Sequence, residues 1–285
     1  MRVRPLGKAG FDVTELSLGT WGLAGEGYGP VPESEQDRVI ERAVALGITL
    51  FETADSYGKG AMEKRLGDRL ATVPQVRIVT KIGTDRVAAP PRKQFSAEYL
   101  RTAFDKSRER LGREVVDVVL LHNPAASTVL RGEATGVLMD LESKRAIRAW
   151  GVSAGSVDVA RAAIEQGASV ISLAHNALFS TDLTALADDV KHSGVGVLAH
   201  SVLSHGLLCG YWSLHKEFPP GDHRAERWTP DELRRRVGQQ GPLRALVSTA
   251  IPTQRAAALR YVLANEGVSS VILGPKSTVQ LDQLV

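Results

Sequence analysis

Four polar side chains in the first half of the chain are the types that protonate a carbonyl oxygen: Glu52, Tyr57, Lys81 and His122. A tyrosine is a weak acid at neutral pH, and a nearby lysine ammonium lowers the tyrosine pKa because it favours the tyrosinate. A carboxylate would hold that lysine charged and oriented, and a histidine could hydrogen-bond the substrate oxygen. The set therefore predicts general acid catalysis by Tyr57.

Each of these residues taken alone also has a structural interpretation. Glu52 and Lys81 could form an ion pair that only stabilises the fold, since such pairs also perturb pKa values. Tyr57 could be an exposed loop residue, and His122 could be a histidine whose hydrogen bonds are satisfied within the fold. Their joint placement at or just after successive strand ends favours the catalytic interpretation.

The elements that must position these residues alternate between strand and helix patterns, which is typical of parallel βαβ units. We predict strands near 14–19, 48–52, 76–81, 115–121, 147–152, 169–173, 195–199 and 268–273. The residues that close these runs are Trp21, Glu52, Lys81, His122, Ser153, Asn176, Ser201 and Gly274. Eight such units predict a (β/α)8 TIM barrel, whose active site lies at the C-terminal ends of the strands.

Helix signals fit the same architecture. Apolar residues recur at helical spacing over 35–46 and end at Gly47, and Ser96 is an N-cap for a helix that ends before Gly112. Residues up to about Val13 predict an N-terminal β-hairpin that closes the opposite end of the barrel. Two irregular segments, 83–95 and 204–230, are predicted to cover or line the substrate site. We expect one domain over residues 1–285.

Composition excludes several other classes of function. The chain has 35 basic and 32 acidic residues, and because its cations are scattered, the sequence pI of about 9 does not predict a nucleic-acid partner. Cys209, the only cysteine, cannot form an intramolecular disulfide, and no His-Glu-x-x-His or Gly-x-Ser-x-Gly motif predicts a metal site or a hydrolase. The sequence has no run of about 18 apolar residues that could span a membrane, so a soluble cytoplasmic protein is expected. The sequence leaves the oligomeric state open.

Several motifs resemble those of one known family. They are Phe51-Glu52-Thr53-Ala54-Asp55-Ser56-Tyr57-Gly58 with Glu63 and Gly67, Val79-Thr80-Lys81, Leu120-Leu121-His122-Asn123-Pro124, and Trp150-Gly151-Val152-Ser153. Together they resemble the aldo-keto reductases over essentially the whole chain, and the segment from Phe218 to Arg224 resembles bacterial branches of that family.

The resemblance implies an enzyme that uses NADPH to reduce a small aldehyde or ketone, with hydride from the nicotinamide and a proton from Tyr57. It implies that Ser153 and Asn176 meet the carboxamide, that Lys276 and Ser277 meet the ribose phosphate, and that four residues meet the pyrophosphate: Ser201, Leu203, Gly206 and Leu207. The other implied cofactor residues are Gly19, Thr20, Trp21, Ser172, His175, Val202, Gly274 and Gln280.

The chain departs from the family pattern at several positions. Glu52 replaces the family's aspartate, Ala154 and Ser172 replace amides, His175 stands where an aromatic residue would stack on the nicotinamide, and Leu284 stands where an asparagine would meet the adenine. These departures support a second hypothesis, a non-catalytic auxiliary or sensor protein that binds NADPH.

Overall fold

Eight parallel strands form a closed barrel in the computed structural model of the protein, which describes residues 1–86 and 88–285. The strands are β1 (Val3–Pro5), β2 (Asp12–Thr14), β3 (Leu16–Gly19), β4 (Leu50–Glu52), β5 (Arg77–Ile82), β6 (Thr84–Asp85), β7 (Arg92–Lys93), β8 (Val116–His122), β9 (Ile147–Ser153), β10 (Val170–Ala174), β11 (Gly196–His200) and β12 (Val268–Leu273). The order around the barrel is β3-β4-β5-β8-β9-β10-β11-β12, and β12 pairs back with β3.

Helices follow the barrel strands and cover their outer face. They are α1 (Glu33–Ala45), α2 (Ala61–Leu70), α3 (Ala97–Leu111), α4 (Ala126–Leu130), α5 (Glu133–Ser143), α6 (Val157–Glu165), α7 (Thr181–Ala185), α8 (Ala187–Ser193), α9 (Pro230–Gly238), α10 (Gly241–Ala245), α11 (Gln254–Leu263) and α12 (Thr278–Asp282). The predicted TIM barrel is thus confirmed. Ser96 caps α3 by accepting a hydrogen bond from the Tyr99 amide, as its sequence position predicts.

The N-terminal hairpin closes one end of the barrel. Its strands β1 and β2 pair antiparallel, and Leu6 and Val13 are fully buried against side chains of the barrel interior such as Leu50 and Val118. Gly7 lies so close to the backbone of Gly196 that a Cβ atom would clash, because it would stand 2.0 Å from the Gly196 nitrogen. The predicted hairpin therefore exists and seals the N-terminal end of the barrel.

Alternation along the strands separates an interior core from an outer core. Val79 on β5 belongs to the interior apolar cluster, whereas Ile78 packs in the larger cluster between strands and helices. Because successive strand residues point to opposite faces, Lys81 shares the face of Val79 and Thr80 shares that of Ile78. This alternation directs Lys81 into the barrel.

The two irregular segments lie at the other end of the barrel from the N-terminal hairpin. The first contains a small antiparallel hairpin of β6 and β7, and the second packs Trp212 against Leu207, Leu233 and Val237. No helix in the described part of the chain is long and apolar enough to cross a lipid bilayer.

Candidate active site

A cleft of about 820 Å³ opens at the C-terminal ends of the barrel strands. The four predicted catalytic residues line it: Glu52, Tyr57, Lys81 and His122. Both irregular segments contribute to its walls, through Arg86 and Lys93 in the first and through Trp212 and Arg224 in the second, among others. Seven of the eight residues that close the predicted strands therefore line one cavity, and Asn176 is the exception.

Glu52 and Lys81 form a buried ion pair at the floor of the cleft. The parallel register places Glu52 beside Val79, so Lys81 lies two residues further along the same face. The Lys81 ammonium contacts the Glu52 carboxylate and donates a hydrogen bond to the Thr53 carbonyl oxygen at 3.1 Å. Burial lowers the pKa of Lys81 well below its ordinary value, and the nearby charge of Lys93 lowers it further. The Glu52 carboxylate opposes both effects, because an adjacent negative charge favours the ammonium form.

Tyr57 lies beside this pair, in a short 3-10 turn over Tyr57–Gly60. The Lys81 Nζ atom lies 4.7 Å from the centroid of the Tyr57 ring, and the Tyr57 and His122 rings meet edge to face with centroids 6.0 Å apart. The pKa of Tyr57 is raised by burial and then by the Asp55 carboxylate, which contradicts the prediction that Lys81 lowers it. The Lys81 ammonium lies over the face of the ring, and burial remains the largest influence on the Tyr57 pKa. The phenol therefore keeps its proton at neutral pH.

His122 ends β8 and faces the same space. Its Nδ1 atom lies 3.4 Å from the Ser56 hydroxyl, and Lys93 donates a hydrogen bond to its carbonyl oxygen at 2.7 Å. Burial lowers the pKa of His122 well below its ordinary value, and the charge of Lys81 lowers it further. The imidazole is therefore neutral at pH 7, and a Ser56 hydroxyl that donates to Nδ1 leaves the ring proton on Nε2, free to donate.

Most of the residues predicted to bind the cofactor also line the cleft. They are Gly19, Trp21, Ser153, Ser172, Ser201, Val202, Leu203, Gly206, Gly274, Lys276 and Gln280. The Ser153 hydroxyl donates to the Asn123 side-chain oxygen at 2.8 Å, and Gln280 accepts from the Lys276 backbone amide at 2.8 Å. The Lys276 ammonium donates to the Tyr28 carbonyl oxygen.

Four other predicted cofactor residues support the cleft wall without lining it. The Thr20 hydroxyl donates to the Glu52 carbonyl oxygen at 3.1 Å, and the Asn176 side chain donates to the Ser201 carbonyl oxygen at 2.9 Å. Leu207 packs in the apolar cluster beneath the second irregular segment, and Ser277 caps α12. These side chains hold the backbone around the cleft.

His175, which the resemblance places beside the nicotinamide, does not line the cleft. His175 is buried outside the cleft, where it stacks on Tyr261 with centroids 6.0 Å apart. His200, at the end of β11, lines the cleft, and burial with the nearby charge of Lys81 lowers its pKa to about 4. Strand alternation could have identified His200 as a cleft residue, because it shares a strand face with Leu198, which belongs to the interior cluster.

Sequence reasoning also missed the role of Arg224. Its guanidinium pairs with Asp222 and lies over the rings of Tyr28, Trp212 and Phe218, at 4.9, 5.6 and 4.7 Å from their centroids. A charge alone carries no such signal, but an arginine among clustered aromatic residues is typical of cation–π packing. Arg224 therefore binds the second irregular segment to the loop after β3, where Tyr28 lies.

Comparison with known proteins places the chain among related enzymes. It is 27% identical over 296 residues to the L-galactose dehydrogenase of Arabidopsis thaliana, covering 100% of the chain and 87% of that relative. It is 27% identical over 309 residues to the L-glyceraldehyde 3-phosphate reductase of Escherichia coli K12, with the same coverage. It is 28% identical to the NADH-specific methylglyoxal reductase of that strain, covering 100% of the chain and 93% of the relative.

Solved structures share the fold. An aldo-keto reductase from Bacillus halodurans, in its holo form, superposes with a TM-score of 0.83 at 22% identity, covering 100% of this chain and 89% of that one. A glycerol dehydrogenase from Gluconobacter oxydans superposes with a TM-score of 0.84 at 24% identity, covering 98% and 88%. The sequence model of the aldo/keto reductase family matches residues 15–285. The chain belongs to the aldo/keto reductase family.

Proposed function

We propose that this protein is an NADPH-dependent reductase of aldehydes or ketones in which Tyr57 donates the proton to the carbonyl oxygen. One observation carries the proposal: the Glu52–Lys81 pair, the Tyr57 ring and the neutral His122 meet at the floor of a single cleft. Membership of the family supports oxidoreductase chemistry on a small carbonyl compound, and the residues of this chain indicate how its proton is supplied.

The residues of the cleft fit a phosphorylated dinucleotide. Among the described residues, eight basic side chains line the cleft against two acidic ones, although the whole chain has a net charge of only +3. A cavity this rich in cations favours an anionic ligand. When bound there, NADPH supplies the hydride that reduces the carbonyl carbon. We propose that Lys276, Arg224 and Gln280 hold its phosphate and adenosine end and that His200 offers a ring face to the nicotinamide.

NADPH is favoured over NADH because of the cations near Lys276. Burial lowers the pKa of Lys276, and the charge of Arg224 lies close enough to lower it further. Two neighbouring cations suit the additional phosphate that distinguishes NADPH. The relative from Escherichia coli that is named NADH-specific indicates that cofactor preference varies within the family, so both cofactors belong in the assay.

The residues of the chain can complete the reduction once the carbonyl oxygen gains negative charge. The Tyr57 hydroxyl donates its proton to that oxygen and becomes a phenolate, which the Lys81 ammonium stabilises. His122 donates a hydrogen bond to the same oxygen and orients the carbonyl. Glu52 keeps Lys81 charged, and solvent at the mouth of the cleft returns a proton to Tyr57.

The test is NADPH oxidation by the purified protein with aromatic, aliphatic and sugar aldehydes, with NADH run in parallel. Tyr57→Phe should lower kcat by about 10²- to 10⁴-fold, the usual contribution of a general acid, while NADPH binding persists. Tyr261→Phe is the matched control because Tyr261 packs on His175 away from the cleft and should leave kcat unchanged. Turnover retained in Tyr57→Phe would exclude Tyr57 as the acid. Tight NADPH binding by the wild type without turnover of any aldehyde would favour the auxiliary or sensor hypothesis.

A further inference from the structure

Two cations of the first irregular segment stand at the catalytic end of the cleft. Lys93 belongs to β7 and pairs with Thr84, Arg86 directly follows β6, and all three residues line the cleft. Lys93 is anchored there, because its Nζ atom donates to the Thr84 hydroxyl at 2.8 Å and to the His122 carbonyl oxygen at 2.7 Å. An ammonium has three donors, so one remains for a ligand.

Arg86 reaches the same region with part of its hydrogen-bonding capacity unused. Its Nη2 atom donates to the Glu26 carboxylate at 2.8 Å across the cleft mouth. Its Nε atom is buried and has no hydrogen-bond partner among the described residues. A buried N–H without an acceptor costs free energy, so an acceptor from outside the chain would be favoured there.

The charges of Arg86 and Lys93 reach His122, which we propose orients the carbonyl group. Both lower the pKa of His122 through their charges, after burial and Lys81. Of the two acidic side chains that line the described cleft, Glu52 is engaged by Lys81 and Glu26 pairs with Arg86. Asp55 also acts on Lys93 without lining the cleft. This end of the cleft therefore carries an excess of positive charge, separate from the cations near Lys276.

We propose that Arg86 and Lys93 bind an anionic group of the substrate, a carboxylate or a phosphate, so that the enzyme prefers negatively charged carbonyl compounds. The inference rests on the proposed carbonyl reductase function, and it assigns the substrate class of the same site. Guanidinium and ammonium groups make their strongest hydrogen bonds with such anions.

The experiment compares kcat/KM for matched aldehydes that differ in one charged group. Butanal is paired with 4-oxobutanoate, and glyceraldehyde is paired with glyceraldehyde 3-phosphate. The wild type should prefer the anionic member of at least one pair by about 10-fold or more, and Arg86→Leu should reduce that ratio by about 10-fold, the value of one charge-assisted hydrogen bond. The pair with the larger ratio of kcat/KM, anionic over neutral, shows whether the site prefers a carboxylate or a phosphate.

Arg92→Leu is the matched control, because Arg92 is an exposed cation of the same hairpin that does not line the cleft. It should leave the ratio unchanged. Glu26→Gln should act in the opposite direction to Arg86→Leu and lower KM for the anionic aldehyde, since it releases Arg86 from its ion pair. A merely structural role of Arg86 would not reverse sign in this way.

The outcomes separate this inference from the proposed function. Turnover of neutral and anionic aldehydes with equal kcat/KM would overturn the anion site and leave the reductase proposal standing. Equal losses of the ratio in Arg86→Leu and Arg92→Leu would also overturn it, because the effect would then be general surface charge. Failure to reduce any aldehyde with either cofactor would overturn the proposed function itself.

Discussion

Two ion pairs with buried carboxylates, Glu52–Lys81 and Glu63–Arg110, lie on opposite sides of β5 and have different surroundings. Lys81 points into the barrel and meets Glu52 beside the cleft, whereas its neighbour Thr80 points to the helix layer and meets Glu63. Glu63 is completely buried, and it accepts hydrogen bonds from Thr80 and, at 2.7 Å, from the Arg110 Nε atom. The outer pair is saturated by protein partners, and the inner pair borders an open cavity. Burial of a carboxylate beside a cation thus does not by itself indicate catalysis; access to a ligand does.

The largest expected effect is on kcat, which should fall when the inner pair is broken and persist when the outer pair is broken. Lys81→Met removes the cation beside Tyr57 and should lower kcat by about 10²- to 10⁴-fold, as measured by NADPH oxidation, because the phenolate then lacks its counter-charge. Arg110→Met removes the cation of the outer pair and should leave kcat within about 3-fold in the fraction that remains folded. Similar losses of kcat in both variants would show that the inner pair is only structural.

The free energy of unfolding should depend on the outer pair, which has little effect on kcat. Arg110→Met leaves the buried Glu63 carboxylate without its cation and should lower the free energy of unfolding by about 3 kcal/mol, as measured by urea denaturation. Arg101→Met is the control, because Arg101 belongs to the same helix and pairs with Asp140 at the surface. Such exposed pairs contribute less than about 1 kcal/mol. A loss in Arg110→Met no larger than in Arg101→Met would contradict the comparison.

Asp55 lies near both pairs and gives a pH-dependent prediction, since its amide donates to the Lys81 carbonyl oxygen and the Glu63 and Arg110 charges act on it. Burial, followed by the Glu63 charge, raises the pKa of Asp55 from 3.8 to about 7 despite Arg110, and its Oδ1 atom has no hydrogen-bond partner among the described residues. Because the folded-state pKa lies above the unfolded one, ionisation of Asp55 costs stability progressively as pH rises from about 4 to 7.

Asp55→Asn removes this cost. The variant should be more stable than the wild type by about 4 kcal/mol near pH 8 and nearly equal to it near pH 4, as measured by urea denaturation at both pH values. Asp140→Asn is a suitable control, because the pKa of the exposed Asp140 is lowered instead. A stability gain that is independent of pH would exclude titration of Asp55 as the cause.

The smallest expected effect concerns the length of the Glu52 side chain. Glu52→Asp shortens the side chain by about 1.5 Å, which breaks the contact with Lys81 and should lower kcat by about 10-fold while NADPH binding is retained. The expected fall assumes that this barrel is adapted to glutamate. A rise in kcat would show instead that Glu52 has weakened an ancestral site, which the auxiliary hypothesis requires.

The sequence predicts the barrel well because its signals are local. Most of the apolar runs end at a polar residue, so β5 was expected at 76–81 and is found at Arg77–Ile82. The same runs predict that Glu52, Lys81 and His122 converge, since the C-terminal ends of parallel strands meet at one face of a barrel. Tyr57 follows from its short distance after β4.

The contacts that were missed depend on orientation and on distant segments. His175 was expected in the cleft, but Ser172 faces the cleft and a residue three positions later points to the opposite side of an extended chain. The pKa of Tyr57 depends on how deeply its ring is buried, which no motif encodes. The packing of Arg224 on three rings depends on how the segment over 204–230 folds back, and that requires tertiary contacts.

The tryptophans at the cleft mouth can report on ligand binding through their fluorescence. Trp21, Trp212 and Trp228 lie there, with Trp21 and Trp212 on the cleft wall and Trp228 packed against Trp212 with centroids 6.0 Å apart. The fourth tryptophan, Trp150, is buried in the barrel wall. Indole emission responds to the polarity around the ring. Three of the four tryptophans therefore lie in or beside the cleft wall, and a fluorescence titration can follow ligand entry without a label.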